Sequence, residues 1–253
     1  MLKITLIGAN GKMGQVISRL VEQKDDSSVV CGIDINTEEK AGYPVYASPD
    51  EIKEECDVII DFSHPSSLSS ALEYAVTNNK GIVVATTGLS KEQIAEIEAA
   101  SKKTPVFFSA NMSLGVNLLI QLAKKATALL EDNFDIEIVE KHHNLKIDAP
   151  SGTALAIADA INDVSQYSNE YIYDRHSTRN KRSKREIGIH SVRGGTIVGE
   201  HDVIFAGTDE VIEVKHTATS KEVFAVGAAR AAIFLADQEP GMYAMKDLIA
   251  SQK

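Results

Sequence analysis

Leu2 to Ile7 is an apolar, partly β-branched run that passes directly into Gly8-Ala-Asn-Gly-Lys-Met-Gly14 and then into Gln15-Val-Ile-Ser-Arg-Leu-Val21, which reads as a helix. Strand, glycine turn and helix in that order constrain the N-terminal part to an α/β arrangement. In this turn Gly8 permits the tight bend, Gly11 lets the backbone approach a pyrophosphate, and Gly14 lets the helix pack closely on the strand. Ser28 to Ile33 supplies a second strand, and Asp34 follows Gly14 by twenty residues, the place of the acidic residue in a dinucleotide-binding unit. The spacing is Gly-x-x-Gly-x-x-Gly rather than the commoner form, and a glycine turn of the kind any α/β unit uses is the alternative reading. An acid at Asp34 accepts hydrogen bonds from ribose hydroxyls and repels a 2′-phosphate, which favours NADH; Lys40 is near enough in sequence to leave NADPH open.

The alternation continues. Asp57 to Asp61, Gly81 to Thr86 and Pro105 to Ser109 read as strands, separated by helices from about Ser66 to Asn78 and from Lys91 to Lys103. Strands alternating with helices imply a parallel sheet, and such sheets take ligands at the carboxyl ends of their strands. Phe62 to His64, the loop Ala85, Thr86, Thr87 and Gly88, and the loop Ser109, Ala110, Asn111 and Met112 are therefore expected beside a nicotinamide; ordinary turns or helix caps would look the same.

The pattern changes after Asn111. Leu114 to Glu131 reads as a long amphipathic helix and Phe134 to Glu140 as a half-buried strand. Pro150 to Asp163 reads as a helix with proline at or near its first turn. Between strand and helix lies the loop bearing His142, His143 and Lys146. Adjacent side chains of an extended chain point to opposite faces, so the two histidines are expected to play different roles rather than share a metal. Ser151-Gly152-Thr153 offers N–H groups and a hydroxyl at a helix start, where the dipole favours a carboxylate or phosphate. An imidazole and an ammonium beside an anion site suit a small acidic substrate that must be protonated. A polar loop with a capped helix and two surface histidines is the plainer alternative. Three further strands, near 187–192, 196–205 and 210–217, are joined at Gly194-Gly195 and Gly207-Thr-Asp209 and predict an antiparallel sheet. An Ala-rich helix from Ser220 to Ala236, expected to pack on the first domain, and a short helix from Pro240 to Ala250 end the chain.

The resulting fold class is α/β, a Rossmann-like doubly wound parallel sheet plus a smaller α+β domain with a mixed or antiparallel sheet. Residues 1–113 with 220–253 form the first domain and 114–219 the second, with a hinge near the crossings at 112–117 and 217–221. The chain of 253 residues carries a net charge of −10, which repels nucleic-acid backbones overall although Arg175 to Arg185 holds six basic residues. That loop reads as a mobile cover over an anionic substrate or as a solvated loop. No apolar run approaches membrane-span length, neither anchor nor signal peptide is indicated, and Cys31 and Cys56 fall in or beside apolar strands, so a soluble protein of the reducing cytoplasm is expected.

The chain resembles the 4-hydroxy-tetrahydrodipicolinate reductase (dihydrodipicolinate reductase) family over nearly its whole length. The resemblance rests on Gly8 to Gly14, Asp61-Phe-Ser63, Ala85 to Gly88, Ser109 to Asn117, Glu140-Lys-His-His-Asn-Leu-Lys146, Asp148-Ala-Pro-Ser-Gly-Thr-Ala154, Arg193 to His201 and Phe224 to Ala232. It implies NADH- or NADPH-dependent reduction of a cyclic dicarboxylate in diaminopimelate and lysine biosynthesis. His142 and Lys146 would be the proton-transfer residues, and His143, Gly152 and Thr153 would hold substrate carboxylates. Gly8, Ala9, Asn10, Gly11, Lys12, Met13, Asp34, Ala85, Thr86, Thr87 and Ser109 to Met112 would hold the cofactor. The resemblance also implies a homotetramer assembled through the second domain's sheet. Many members have glycine where this chain has Ala85. A different dehydrogenase and a non-catalytic NADH sensor are the rival readings; the first has no use for the histidine, lysine and Ser-Gly-Thr set, and the second lacks a recognition element.

Overall fold

The computed structural model describes residues 1–252. Its elements run β1 (Leu2–Ile7), α1 (Lys12–Glu22), β2 (Ser27–Ile33), β3 (Val45–Tyr46), β4 (Val58–Asp61), α2 (Leu68–Thr77), β5 (Gly81–Val84), α3 (Lys91–Ser101), β6 (Pro105–Phe108) and α4 (Leu114–Leu130). They continue through β7 (Asp135–His142), α5 (Gly152–Val164), β8 (Glu170–Ile172), β9 (Glu186–Arg193), β10 (Gly199–Ala206), β11 (Val211–Ala218), α6 (Glu222–Leu235), β12 (Gly241–Tyr243) and α7 (Met245–Ser251). The chain divides into two compact units, Met1–Leu114 with Glu222–Lys253, and Gly115–Lys221.

The first unit holds one sheet in the order β12-β6-β5-β4-β1-β2-β3, parallel throughout. Its central strands are apolar at nearly every position because helices cover both faces. Ile4, Leu6, Val58, Ile60, Val83 and Phe107 pack with α1 and α6, whereas Ile59, Ile82, Val84 and Val106 pack with α2 and α3. Strand order reverses between β1 and β4, the switch point beside which open α/β sheets bind ligands. The short edge strands β3 and β12 lie outside the pattern read from sequence. β12 falls where a helix from Pro240 was expected: Gly241 to Tyr243 instead extend the sheet along β6. The helix starts at Met245, after Asp247 accepts a hydrogen bond from the Ala244 N–H at 2.8 Å.

The second unit has a mixed sheet in the order β11-β10-β7-β9-β8. The expected antiparallel run of three strands is therefore only partly present. β10 and β11 form an antiparallel pair, but β7 lies between β9 and β10, parallel to the one and antiparallel to the other. Two causes are visible. Ile136 and Ile138 of β7 are buried with Leu119, Ile157 and Ile161, so this strand takes the centre. The Gly194-Gly195 segment wraps the end of β7 instead of closing a hairpin, with Gly194 N–H donating to His142 O at 2.9 Å and Asn144 N–H to Gly195 O at 3.2 Å.

The Ala-rich α6 has a close contact of its own. A Cβ added at Gly227 would fall 1.7 Å from the Met112 carbonyl oxygen, so this helix seats the end of the Ser109 to Met112 loop. Ala normally stabilises a helix interior relative to Gly, yet Gly227→Ala is expected to cost about 1–3 kcal/mol through overpacking. A lowered denaturant midpoint for that variant checks this; a raised one would show the loop to be free to move.

Candidate active site

At the carboxyl end of β1 the chain must turn sharply, and Gly8 does so at φ +82°, where a Cβ would also lie 2.6 Å from the Phe62 carbonyl oxygen. A Cβ at Gly14 would lie 2.1 Å from Gly8 O, which holds α1 tightly against the turn. Gly11 is the N-cap of α1, with no side-chain cap and no acidic residue in the first turn. This helix start therefore keeps the positive end of its dipole open, a setting suited to a pyrophosphate. Ala9 is buried, while Lys12 is exposed beside it.

Asp34 follows β2 and binds the turn directly. Its Oδ2 accepts from Asn10 N–H at 2.9 Å and its Oδ1 from Asn36 N–H at 3.0 Å. The Asn10 amide donates to Asn36 O at 2.6 Å and to Glu38 O at 2.8 Å, joining the glycine turn to the segment after Asp34. Lys40 pairs with Glu38 at 3.4 Å. Ala85, Thr86, Thr87, Ser109, Ala110, Asn111 and Met112 all line one cavity of about 240 Å³ with Phe62, Ser63 and Phe224. Beneath it the buried Asp61 carboxylate accepts from Thr86 Oγ1 at 3.0 Å and from the Ser63 N–H at 3.2 Å. Burial pushes this carboxyl up, opposed by those hydrogen bonds.

The second unit holds the other predicted residues. Alternation along β7 puts Ile136, Ile138, Glu140 and His142 on one face, so the strand runs from core into site. Glu140 is fully buried. Arg193 holds it in a two-pronged ion pair, Nη2 to Oε1 at 2.6 Å and Nη1 to Oε2 at 2.7 Å. His142 Nδ1 lies 2.7 Å from Glu140 Oε2, and Ser151 N–H donates to Oε1 at 3.1 Å. Burial alone would raise the Glu140 pKa; Arg193, His142 and Ser191 outweigh it and bring it down to about 2.

α5 begins one residue after Ser151, whose hydroxyl accepts from Ala154 N–H at 3.1 Å. Pro150 thus precedes the cap rather than sitting in the first turn, because Ser151 supplies the capping oxygen. Gly152 is exposed, with open space where a side chain would be, and Thr153 follows it in the first turn. His143 opens the loop, its carbonyl accepting from Lys146 N–H at 3.1 Å. Lys146 Nζ donates to Asp148 Oδ1 at 2.8 Å.

The basic loop does not cover this site. Arg182 donates to Asp135 and Glu137 at 3.1 and 3.0 Å, and Arg175 donates to Glu186 at 2.7 Å. These acids lie at the starts of β7 and β9, and His142 at the far end of β7.

Two family descriptions cover the chain in turn: "Dihydrodipicolinate reductase, N-terminus" matches residues 2–112, and "Dihydrodipicolinate reductase, C-terminus" matches residues 115–249. The chain belongs to the dihydrodipicolinate reductase family. A 4-hydroxy-tetrahydrodipicolinate reductase of Caldanaerobacter subterraneus subsp. tengcongensis is 53% identical over 98% of both chains. That of Clostridium tetani is 49% identical over 99% of this chain and 98% of its own. Among solved structures, a dipicolinate-bound dihydrodipicolinate reductase from Paenisporosarcina sp. TG-14 shares the fold. It has TM-score 0.81 and 24% identity, over 96% of this chain and 97% of that one.

Within this member of the dihydrodipicolinate reductase family, the structure adds residues to which sequence reasoning gave no role: Glu140, Arg193, Gly199 and His201. His201 is buried, its Nε2 is 2.9 Å from Ser151 Oγ, and its ring meets that of His142 edge-on with centroids 5.3 Å apart. The cross-strand register of β10 on β7 sets His201 opposite Glu140. No spacing in the sequence discloses that register.

Burial, then the nearby His142, lowers the His201 pKa to about 4; burial shifts His216 in the same direction. The unfolded chain accepts the proton at about 6.5 and the folded chain does not, so stability is complete above pH ~6.5 and declines as pH falls towards 4. Replacing the ring by His201→Gln is expected to remove up to about 1.4 kcal/mol per pH unit from that slope. Urea unfolding at a series of pH values measures it; equal slopes would mean that His201 takes the proton within the folded protein.

Proposed function

We propose that this chain reduces 4-hydroxy-tetrahydrodipicolinate to tetrahydrodipicolinate with loss of water, in diaminopimelate and lysine biosynthesis, with NADH preferred over NADPH. The observation that carries the reading is the placement of His142, held by the Glu140–Arg193 pair, beside the helix start at Gly152, in a chain whose full-length relatives bear that reductase name. A reduced nicotinamide supplies the hydride when bound.

The residues of the first unit fit such a cofactor. The Gly8 to Met13 turn and the α1 N-terminus hold the pyrophosphate, and Asp34 accepts from the adenosine ribose. The cavity walls at Ala85 to Thr87 and Ser109 to Met112 border the nicotinamide. No basic side chain adjoins Asp34 in sequence and Lys40 is engaged by Glu38, which supports the preference for NADH.

In the second unit, His143 with the Gly152 and Thr153 N–H groups holds the substrate carboxylates. His142 delivers or takes the proton, and Lys146, paired with Asp148, is the second donor. α4 and α5 cover one face of the second sheet; the other, bearing Glu137, Val139 and Lys141, is the surface through which four copies assemble. The compartment is the reducing cytoplasm, in keeping with Cys31 and Cys56 as buried free thiols. No helix among the described residues is long and apolar enough to cross a membrane.

The purified protein is expected to oxidise NADH faster than NADPH when fed the condensation product of pyruvate and aspartate semialdehyde. His142→Ala should lose about 10²–10⁴-fold in kcat while still binding NADH. Turnover absent from the native protein despite NADH binding would remove the reductase reading. Light scattering is expected to give the mass of four chains, and disruption by Val139→Lys would locate the contact.

A further inference from the structure

We propose that Glu140 is the positioning residue of this site: it fixes a proton on Nδ1 of His142, leaves Nε2 as the nitrogen that exchanges protons with the substrate, and ties that ring to the α5 start and the Lys146 loop. The inference rests on the reading of His142 as a proton-transfer group.

A fully buried carboxylate is costly unless its lone pairs are satisfied. Glu140 meets that requirement with two donors from Arg193 and one each from His142, Ser151 and Ser191. Its depressed pKa keeps it ionised throughout the neutral range, and an ionised carboxylate only accepts. The partner 2.7 Å away must therefore donate, so Nδ1 of His142 bears hydrogen in the neutral ring as well as in the cation. Nε2 alone can then gain and lose a proton.

The surroundings fit that assignment. An ideal Cβ at Gly199 would lie 3.1 Å from His142 Nε2, so any side chain there would crowd the working nitrogen. His201 supports the ring edge-on without competing for Glu140, since its own bond goes to Ser151. Arg193 also donates to the Asp148 carbonyl at 2.6 Å, and Asp148 holds Lys146. One charge pair with a buried carboxylate thus connects the imidazole, the ammonium and the α5 start.

Glu140→Gln tests the assignment. Whichever way the amide turns, its NH₂ group meets an Arg193 N–H, and a neutral amide no longer obliges His142 Nδ1 to be the donor. In the full-length, NADH-bound protein labelled with ¹⁵N-histidine, neutral His142 is expected to carry its proton on Nδ1. In the variant, an Nε2-protonated form should become populated. With it kcat should fall by about 10²-fold at unchanged NADH affinity, whereas a purely structural role would leave the tautomer alone. Should Glu140→Gln not fold, Glu140→Asp, which keeps the charge but withdraws it by one methylene from His142 Nδ1, carries the same test with a smaller fall in kcat. A folded variant with the native tautomer and native kcat would overturn the proposal. Survival of turnover in His142→Ala would instead remove the proton-transfer reading and leave the tautomer measurement to decide the role of Glu140.

Discussion

The central position of β7 in the second sheet is the constraint on which that unit's chemistry depends. One face of this strand reads Ile136, Ile138, Glu140, His142. Its first half is held by apolar burial against α4 and α5, and its second half carries the polar groups of the site. The apolar half contributes about 1.5–3 kcal/mol for each large side chain buried and is insensitive to small changes in hydrogen bonding. The polar half is rigid because it continues a strand bonded on both sides, to β9 and to β10. A histidine in a free loop would have to be ordered by its ligand; this one is ordered by the sheet.

The first unit solves its problem differently. There, close backbone approach does the positioning: Gly14 admits α1 to the turn, and Gly227 admits α6 to the Met112 carbonyl. Both contacts involve a carbonyl that any Cβ would strike, so the loops at the carboxyl ends of β1 and β6 are set by helix packing. The Asp61 carboxylate, bonded to Ser63 and Thr86, adds a polar tie between the ends of β4 and β5.

Local signals made much of this legible. The strand-turn-helix run with Asp34 gave the parallel sheet, because its order follows from alternation and from the short reach of each connection. The Ser151-Gly152-Thr153 helix start was readable because capping is a matter of neighbours in sequence. What stayed hidden was non-local. The insertion of β7 between β9 and β10 separates strands that are adjacent in the chain, and the edge strands β3 and β12 are too short to leave a period. Glu140, Arg193, Gly199 and His201 become a group only through that insertion, so the loop from His142 to Thr153 could not disclose it. In the basic loop the charge was evident, but the partners of Arg182, Asp135 and Glu137, lie on a strand remote in sequence.

The same insertion explains why an ion pair is buried here at all. A buried carboxylate and guanidinium of matching volume can often be replaced by apolar groups without loss of stability, so stability alone gives no reason for Glu140 and Arg193. Apolar replacements would leave the buried Ser151 N–H without its partner, at a desolvation cost of about 1–3 kcal/mol, and would remove the ties to the Asp148 carbonyl and the His142 ring. They would also leave the imidazole free to take either tautomer. The pair supplies orientation that packing cannot, since an apolar wall fixes where a ring lies but not which of its nitrogens holds the proton.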